Sequence, residues 1–554
     1  MRTHLTAAAA LLLATTSASA LADTLVRNAN GIQVGADGKL ERFTGILIGN
    51  EGKVKRLLHG EMIKAAADTK VVDAAGRTIL PGLIDAHGHV MALGFGALQL
   101  DLTGTTSIAD LQQRLKAYAA ANPDAKWILG RGWNQELWSD KRFPTAADLD
   151  AVVSDRPVWL GRVDGHASVG NSAALKATGI TAQTKAPAGG RIENGLFVDA
   201  ATELVERKIP APDAAAYDAA LAKAQALMLA TGLTAASDMG TSPADWAAMR
   251  RAGEAGRLNV RILSYAGGIP AMRAINGGKP SAWLYGNRLH QGGVKLYADG
   301  ALGSRGAWLK APYHDKPDTR GLSLISDAEL AKQTEEAAAN GYQLAIHAIG
   351  DAANAQVITA FERLNRRFPG DRRWRIEHAQ VLDVADLPRL AKSGIIASMQ
   401  PTHQTSDRTM AEARLGPERL GGAYAWQTLA RSGAKLAFGS DFPVESPNPF
   451  PGLAAAVSRQ DMSGQPAGGW RPQERVSFEA ALAGFTRGAA YAGFAEDRIG
   501  SLDPGKHADF ILVDRDVSKV APTELARAEV VETWVDGKRV WARDPNGGPG
   551  ERGR

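Results

Sequence analysis

One pattern restricts the fold more than any other. From Pro81 to about Glu496, short apolar runs of β character alternate with alanine-rich stretches of helical character. QLAIHAIGD, RWRIEHAQV and AKLAFGSDF are runs of the first kind; AALAKAQALMLATG and DAELAKQTEEAAANG are stretches of the second. Such alternation implies parallel strands joined by crossover helices. Over residues 81–495 it predicts an α/β fold, a (β/α)8 TIM-like barrel. In that fold the loops after the strands converge on one mouth.

The flanks read differently. Residues 23–80 are short strands broken by Asn-Gly, Asp-Gly and Glu-Gly turns, and residues 496–544 return to strands in DFILVDRDV and VVETWVDGKRVW. β segments at both ends predict one small β-sandwich domain that both chain ends build. Residues 101–220 are too long for a barrel loop and contain their own apolar strands, WILGRGW and RPVWLGRVDG, so an insertion near the barrel mouth is expected. Within the barrel, ILPGLIDA is read as strand 1, and strand 2 is placed near or inside the insertion. LTAASDMG, ending at Asp238, is read as strand 3. Strands 4, 5 and 6 end at Lys295, His347 and His378; GIIASMQP is strand 7, and strand 8 ends at Asp441.

Residues 1–22 carry Arg2, the apolar core LTAAAALLLA and an A-x-A ending. That is the layout of a secretory signal peptide cleaved before Asp23, which predicts export, to the periplasm in a bacterium. No later apolar run is long enough to span a bilayer, so stable membrane insertion is not expected. Lys and Arg number 64 against 59 acidic residues, without a long basic run, so nucleic-acid binding is not expected either. Residues 545–554, rich in glycine and charge, read as a disordered tail.

The chain has no cysteine and 11 histidines. Disulfides, thiolate ligands and cysteine nucleophiles are therefore excluded, and any metal must be held by nitrogen and oxygen. His87 and His89 follow an apolar strand in LPGLIDAHGHV; spacing of two puts both imidazoles on one strand face, a chelate for a borderline metal. His347, His378 and Asp441 each stand where an apolar run stops, and those points meet at a barrel mouth. Lys295 lies within the apolar run GGVKLYADG, where a charged amine is costly. It is either neutral, paired with Asp299, or carboxylated by CO2 into an anionic ligand.

These motifs resemble the amidohydrolase superfamily, and within it the amidohydrolase 3 group of metal-dependent hydrolases, including its exported, N-substituted formamide deformylase-like members. The matching segments are PGLIDAHGHV, GGVKLYADGALGSRGAWL, LAIHAIGDAAN, RIEHAQ, FGSDFPVESPNPF and SLDPGKHADFILVD. The resemblance implies two divalent ions, Zn(2+) in the first instance, with Mn and Fe open. His87, His89 and Asp441 would bind one ion, and His347 and His378 the other. Lys295, N6-carboxylated, would bridge them.

It further implies hydrolysis of a carbon–nitrogen bond, amide-type and non-peptide or N-acyl, with Asp441 moving the proton. Cyclic amides or esters are open as substrates of the same centre. So is a different class, an exported binding protein with a degenerate metal site. The expected partner is a small-molecule amide or ester, and a homo-oligomer is compatible with all of this. His166 in RVDGHASVGN, Arg305, Trp133 and His403 are the candidate substrate contacts, Arg305 for an anionic group. Asp299 is expected to support the loop after strand 4.

Overall fold

The structure is a computed structural model. It describes residues 22–61, 63, 65–163, 165, 167–187 and 190–544. Of the leader read from the sequence at residues 1–22, residues 1–21 lie outside the described residues, as does the whole tail, 545–554.

Eight parallel strands form the barrel. In spatial and chain order they are Leu83–Gly88, Leu233–Thr241, Arg261–Gly267, Leu289–Tyr297, Gln343–Ala348, Arg375–His378, Ile396–Met399 and Lys435–Phe438. Most are buried along nearly their whole length, which is why they read as continuous apolar runs. The seam between last and first strands is drawn together by side chain and backbone. Asp441 N–H donates to the His87 carbonyl at 2.7 Å. Buried Asp85 accepts from the His87 amide at 3.0 Å and the Ser440 hydroxyl at 2.7 Å. Gly439 permits this approach, because a Cβ there would stand 2.4 Å from Asp85 Oδ1 and 2.6 Å from His87 N.

The strand numbering read from the sequence needs correction. LTAASDMG is the second barrel strand, paired directly with the first, and none of the barrel strands lies in the insertion. The third is Arg261–Gly267, RILSYAG. It escaped notice because it begins with arginine and carries Ser264 and Tyr265, so it lacks an apolar signature. The insertion is a separate six-stranded sheet running from Leu100 to Asp199, with its own core of Leu111, Leu115, Trp133, Trp138 and Leu160. Helix Ala214–Ala230, inside the range expected for the insertion, instead packs on helix Val90–Leu98 and leads into the second barrel strand.

The chain ends build two facing sheets. One holds Val54–Leu58, Gly45–Ile48, Thr24–Arg27 and Lys70–Asp73. In the other, Thr78–Pro81 pairs with Asn30–Val34 on one side and antiparallel with Phe510–Val513 on the other. Val26, Ile46, Ile79, Phe510 and Trp534 fill the space between them.

This domain grips the barrel through a buried charge network. Arg261, wholly buried, donates to Asp509 at 2.7 Å and to Asp536 at 2.6 Å. Arg288 and His507 also reach Asp536, each at 2.6 Å. Because Arg261 keeps Asp536 when Asp509 is altered, Asp509→Asn is expected to cost about 1–3 kcal/mol. The urea midpoint measures this; an unchanged midpoint would show the network to be dispensable for docking.

Candidate metal centre and active site

Each candidate ligand is delivered by a strand end. His87 is the penultimate residue of the first strand, and His89 follows it. His347 is penultimate in the fifth strand and His378 closes the sixth. Lys295 lies two residues before the end of the fourth, and Asp441 three beyond the eighth. His378 (φ 75°) and Asp441 (φ 61°) hold left-handed backbone, rarely adopted by residues other than glycine and often found at functional sites.

His87, His378 and Asp441 each offer one ligand atom, all within 4.8 Å of one another. His89 Nε2 stands 3.1 Å from Asp441 Oδ1, and His87 Nε2 stands 3.4 Å from it. Lys295 Nζ lies 3.3 Å from His87 Nε2. The His347 ring lies 4.5 Å from that of His378. All six expected ligands line one cavity of about 540 Å³.

Buried hydrogen bonds aim these groups. His87 Nδ1 contacts Glu377 Oε2 at 2.6 Å, so an Nδ1–H donor there leaves Nε2 with its lone pair toward the cavity. Glu377 is itself held by Arg375 at 2.7 Å, and Arg375 also donates to the Ala86 carbonyl, the Ser398 hydroxyl and the Tyr265 hydroxyl. His378 Nδ1 contacts Gln400 Oε1 at 2.8 Å. Asp238 accepts from the Val90 amide at 2.7 Å and pins the turn after His89. Asp299 accepts from the Trp308, Ile349 and Gly350 amides, tying together the loops after the fourth and fifth strands.

Burial disfavours protonation of His87, His347 and His378, while Asp441 stays ionised beside them. Burial, reinforced by Lys295, lowers His87 to about 4 and His347 to about 3. Burial lowers Lys295 to about 8. For Asp441 burial acts upward, but His87, His89 and His378 together hold it well below the usual carboxylate range.

The donor set fits a divalent ion. Asp441 Oδ1 and His403 Nε2 are buried and make no hydrogen bond in the structure. An oxygen in that position, surrounded by imidazoles, suits zinc and its first-row neighbours.

The expected substrate contacts separate. His403, in the first turn of helix Pro401–Leu415, lines the cavity with Nε2 3.8 Å from Asp441 Oδ2. His166 lies outside the described residues. Trp133 is not on the cavity wall: it is wholly buried in the insertion core and donates to the Leu160 carbonyl at 2.8 Å. The bulge at Gly132 (φ 105°) breaks the strand's alternation and turns Trp133 into the core. Arg305 is also off the wall, spent on Asp315 at 2.9 Å, a carboxylate shared with Arg414.

Sequence reading missed Glu377, Arg375, Asp85, Asp238, Gln400 and the cavity-wall residues Arg131, Asn134, Arg162, Tyr297 and Gln380. A signal existed for the first pair: Arg-x-Glu inside the apolar strand WRIEH puts opposite charges on one face of a buried strand.

Comparison with known proteins points the same way. The amidohydrolase family model Amidohydro_3 matches residues 70–541. The chain is 34% identical to the protein LONG AFTER FAR-RED 3 of Arabidopsis thaliana, over 85% of this chain and 84% of that one. It is 28% identical to an N-substituted formamide deformylase of Arthrobacter pascens, over 85% of this chain and 90% of that one. An uncharacterized metal-dependent hydrolase from Pyrococcus horikoshii superposes with a TM-score of 0.76 at 29% identity, covering 90% of this chain and 99% of that one.

Proposed function

The chain belongs to the amidohydrolase family, and from that premise we propose that it is an exported hydrolase of a non-peptide carbon–nitrogen bond in a small amide. One observation carries the reading: a buried, unpartnered Asp441 oxygen surrounded by histidines at the mouth of the barrel. The Arthrobacter relative, named for its action on N-substituted formamides, supports the choice of bond. The cavity of about 540 Å³ suits a small molecule.

His87, His89, His347, His378 and Asp441 would hold the ions, with Lys295 carboxylated between them. A divalent ion bound there supplies a hydroxide nucleophile at neutral pH and polarises the scissile carbonyl. Asp441 accepts the proton released as water attacks and returns it to the leaving nitrogen. Glu377 keeps His87 in one tautomer throughout. His403, whose Nε2 is otherwise unpartnered, donates to the oxygen that gains charge as the carbonyl becomes tetrahedral. Carbamate formation needs an unprotonated amine, and burial of Lys295 favours that form relative to an exposed lysine.

None of the helices among the described residues is long and apolar enough to cross a membrane. Export rests on the leader pattern of residues 1–22.

The test joins metal analysis to a screen of formamides, N-acyl amino acids, cyclic amides and esters. Purified protein is expected to contain divalent metal, to hydrolyse an amide, and to lose that activity on chelation and regain it with added metal. Growth with ¹³C-bicarbonate should give a carbamate carbon signal that Lys295→Arg removes. Undiminished turnover by verified metal-free protein would overturn the reading.

A further inference from the structure

The insertion brings a guanidinium to the cavity that neither the metal centre nor the fold uses. Arg131, on strand Ile128–Trp133, lines the same space as His89, Lys295 and Asp441. It is half-buried, and its hydrogen bonding consists of one Nη2 contact to the Val163 carbonyl at 3.2 Å. A guanidinium has five N–H donors. Among the described residues, carboxylates are absent from ion-pairing distance of it. Asp101, its neighbour across the strand pair, acts on it only at longer range and accepts from the Thr103 amide. Burial therefore works against this charge with little to offset it.

The rest of the wall is not symmetric about the centre. Arg162, also from the insertion, is engaged by the Gln135 and Asn134 side chains at 2.8 and 3.2 Å. The cavity's other acids come from different elements. Asp407 lies on helix Pro401–Leu415, where Tyr424 and Gln380 donate to it, and Glu445 follows the eighth strand and accepts from Ser406. Lys295 at the metal centre apart, the cavity's positive side chains thus come from the insertion, and its acids from the barrel's own loops and helix Pro401–Leu415.

We propose that Arg131 selects substrates bearing a carboxylate, so that the amide cleaved at the metal centre belongs to an N-acyl amino acid or a similar anionic amide. The proposal rests on the hydrolase reading given above. A carboxylate is the natural occupant because its two oxygens match the planar fork of a guanidinium, giving charge-assisted hydrogen bonds that a neutral substrate cannot form. The insertion then acts as the specificity element, while the barrel supplies the chemistry.

The experiment compares two probes that differ only in the charged group, N-formyl-phenylalanine and N-phenethylformamide, in turnover and in equilibrium binding to the metal-loaded protein. Wild type is expected to favour the anionic probe, and Arg131→Met to reduce the ratio of anionic to neutral kcat/KM by about 10- to 100-fold. The loss should lie mainly in KM, and Arg131→Lys should recover part of it. Because each variant is scored on a ratio, a variant with less folded protein does not imitate the result. If neither probe is turned over but the anionic one binds tighter in an Arg131-dependent way, carboxylate selection stands, and the wider screen of amides and esters decides the hydrolase reading. Turnover with a ratio that Arg131→Met leaves within threefold of wild type overturns the selection and leaves the hydrolase reading intact. Absence of any Arg131-dependent preference in either measurement overturns it as well.

Discussion

Asp441→Asn is expected to lower kcat by about 10³- to 10⁴-fold in protein reloaded with metal. The substitution is nearly isosteric, so the fold around the ligand cluster should persist. It removes the charge that faces His87, His89 and His378, and it leaves an amide that cannot accept the proton from attacking water. Asp441 is suited to both duties: its neighbours hold it ionised, and its Oδ1 faces only the His87 and His89 nitrogens, at 3.4 and 3.1 Å. Metal content must be measured alongside, because a weaker ligand set lowers occupancy. The diagnostic quantity is turnover per bound ion. A variant with full metal and kcat within tenfold of wild type would remove Asp441 from the proton transfer.

Glu377→Ala should do more damage to the protein than any other single change near the site. Glu377 is wholly buried, accepts from Arg375 at 2.7 Å and contacts His87 at 2.6 Å. Without it, the Arg375 guanidinium stays buried with no carboxylate, a situation that costs about 3–5 kcal/mol. His87 loses the partner that fixes its tautomer, and loss of such a partner typically weakens metal binding about 10- to 100-fold. Urea unfolding of the metal-free protein reads the first effect, and chelator competition reads the second. The pH dependence has a definite sign. Burial pushes the Glu377 carboxyl up, but Arg375 and His87 outweigh it and hold the group at about 2, below its ordinary 4.5. A depressed carboxylate stabilises the fold fully above the unfolded value and loses that contribution as pH falls through the folded one. The stability gap between wild type and variant should therefore persist above pH 4.5 and shrink toward pH 2. A gap below about 1 kcal/mol at neutral pH would show that solvent replaces the lost partner.

The candidate ligands stand out in the sequence because each lies in or just after an apolar run that becomes a barrel strand, and in a barrel the position along a strand also fixes the position in space. His87, His347 and His378 announce themselves this way. What supports them was not legible, since its meaning depends on contacts remote in the chain. Arg261 looks out of place in a strand until Asp509 and Asp536 arrive from the far end of the sequence. Trp133 and Arg131 show how local geometry decides a role. Both stand on one short strand, and a strict period of two would give them one face. A one-residue bulge sends the tryptophan into the insertion core and leaves the arginine on the cavity wall. Arg305 was misjudged for a simpler reason: the carboxylate that occupies it, Asp315, lies ten residues further along the same loop.

The small domain has a consequence for the order of events during synthesis. Its strand Thr78–Pro81 leads directly into the barrel, yet the antiparallel partner of that strand is Phe510–Val513. The Thr78–Pro81 strand therefore waits, with one edge open, until Phe510–Val513 has been synthesised. Domains usually fold as units from the N-terminus during synthesis, whereas the larger sheet of this domain combines strands from residues 30–81 with strands from residues 510–542. A chain cut short before Phe510 would retain all six candidate ligand residues but expose the Thr78–Pro81 edge, so the segment Phe510–Val513 is what closes this side of the sheet.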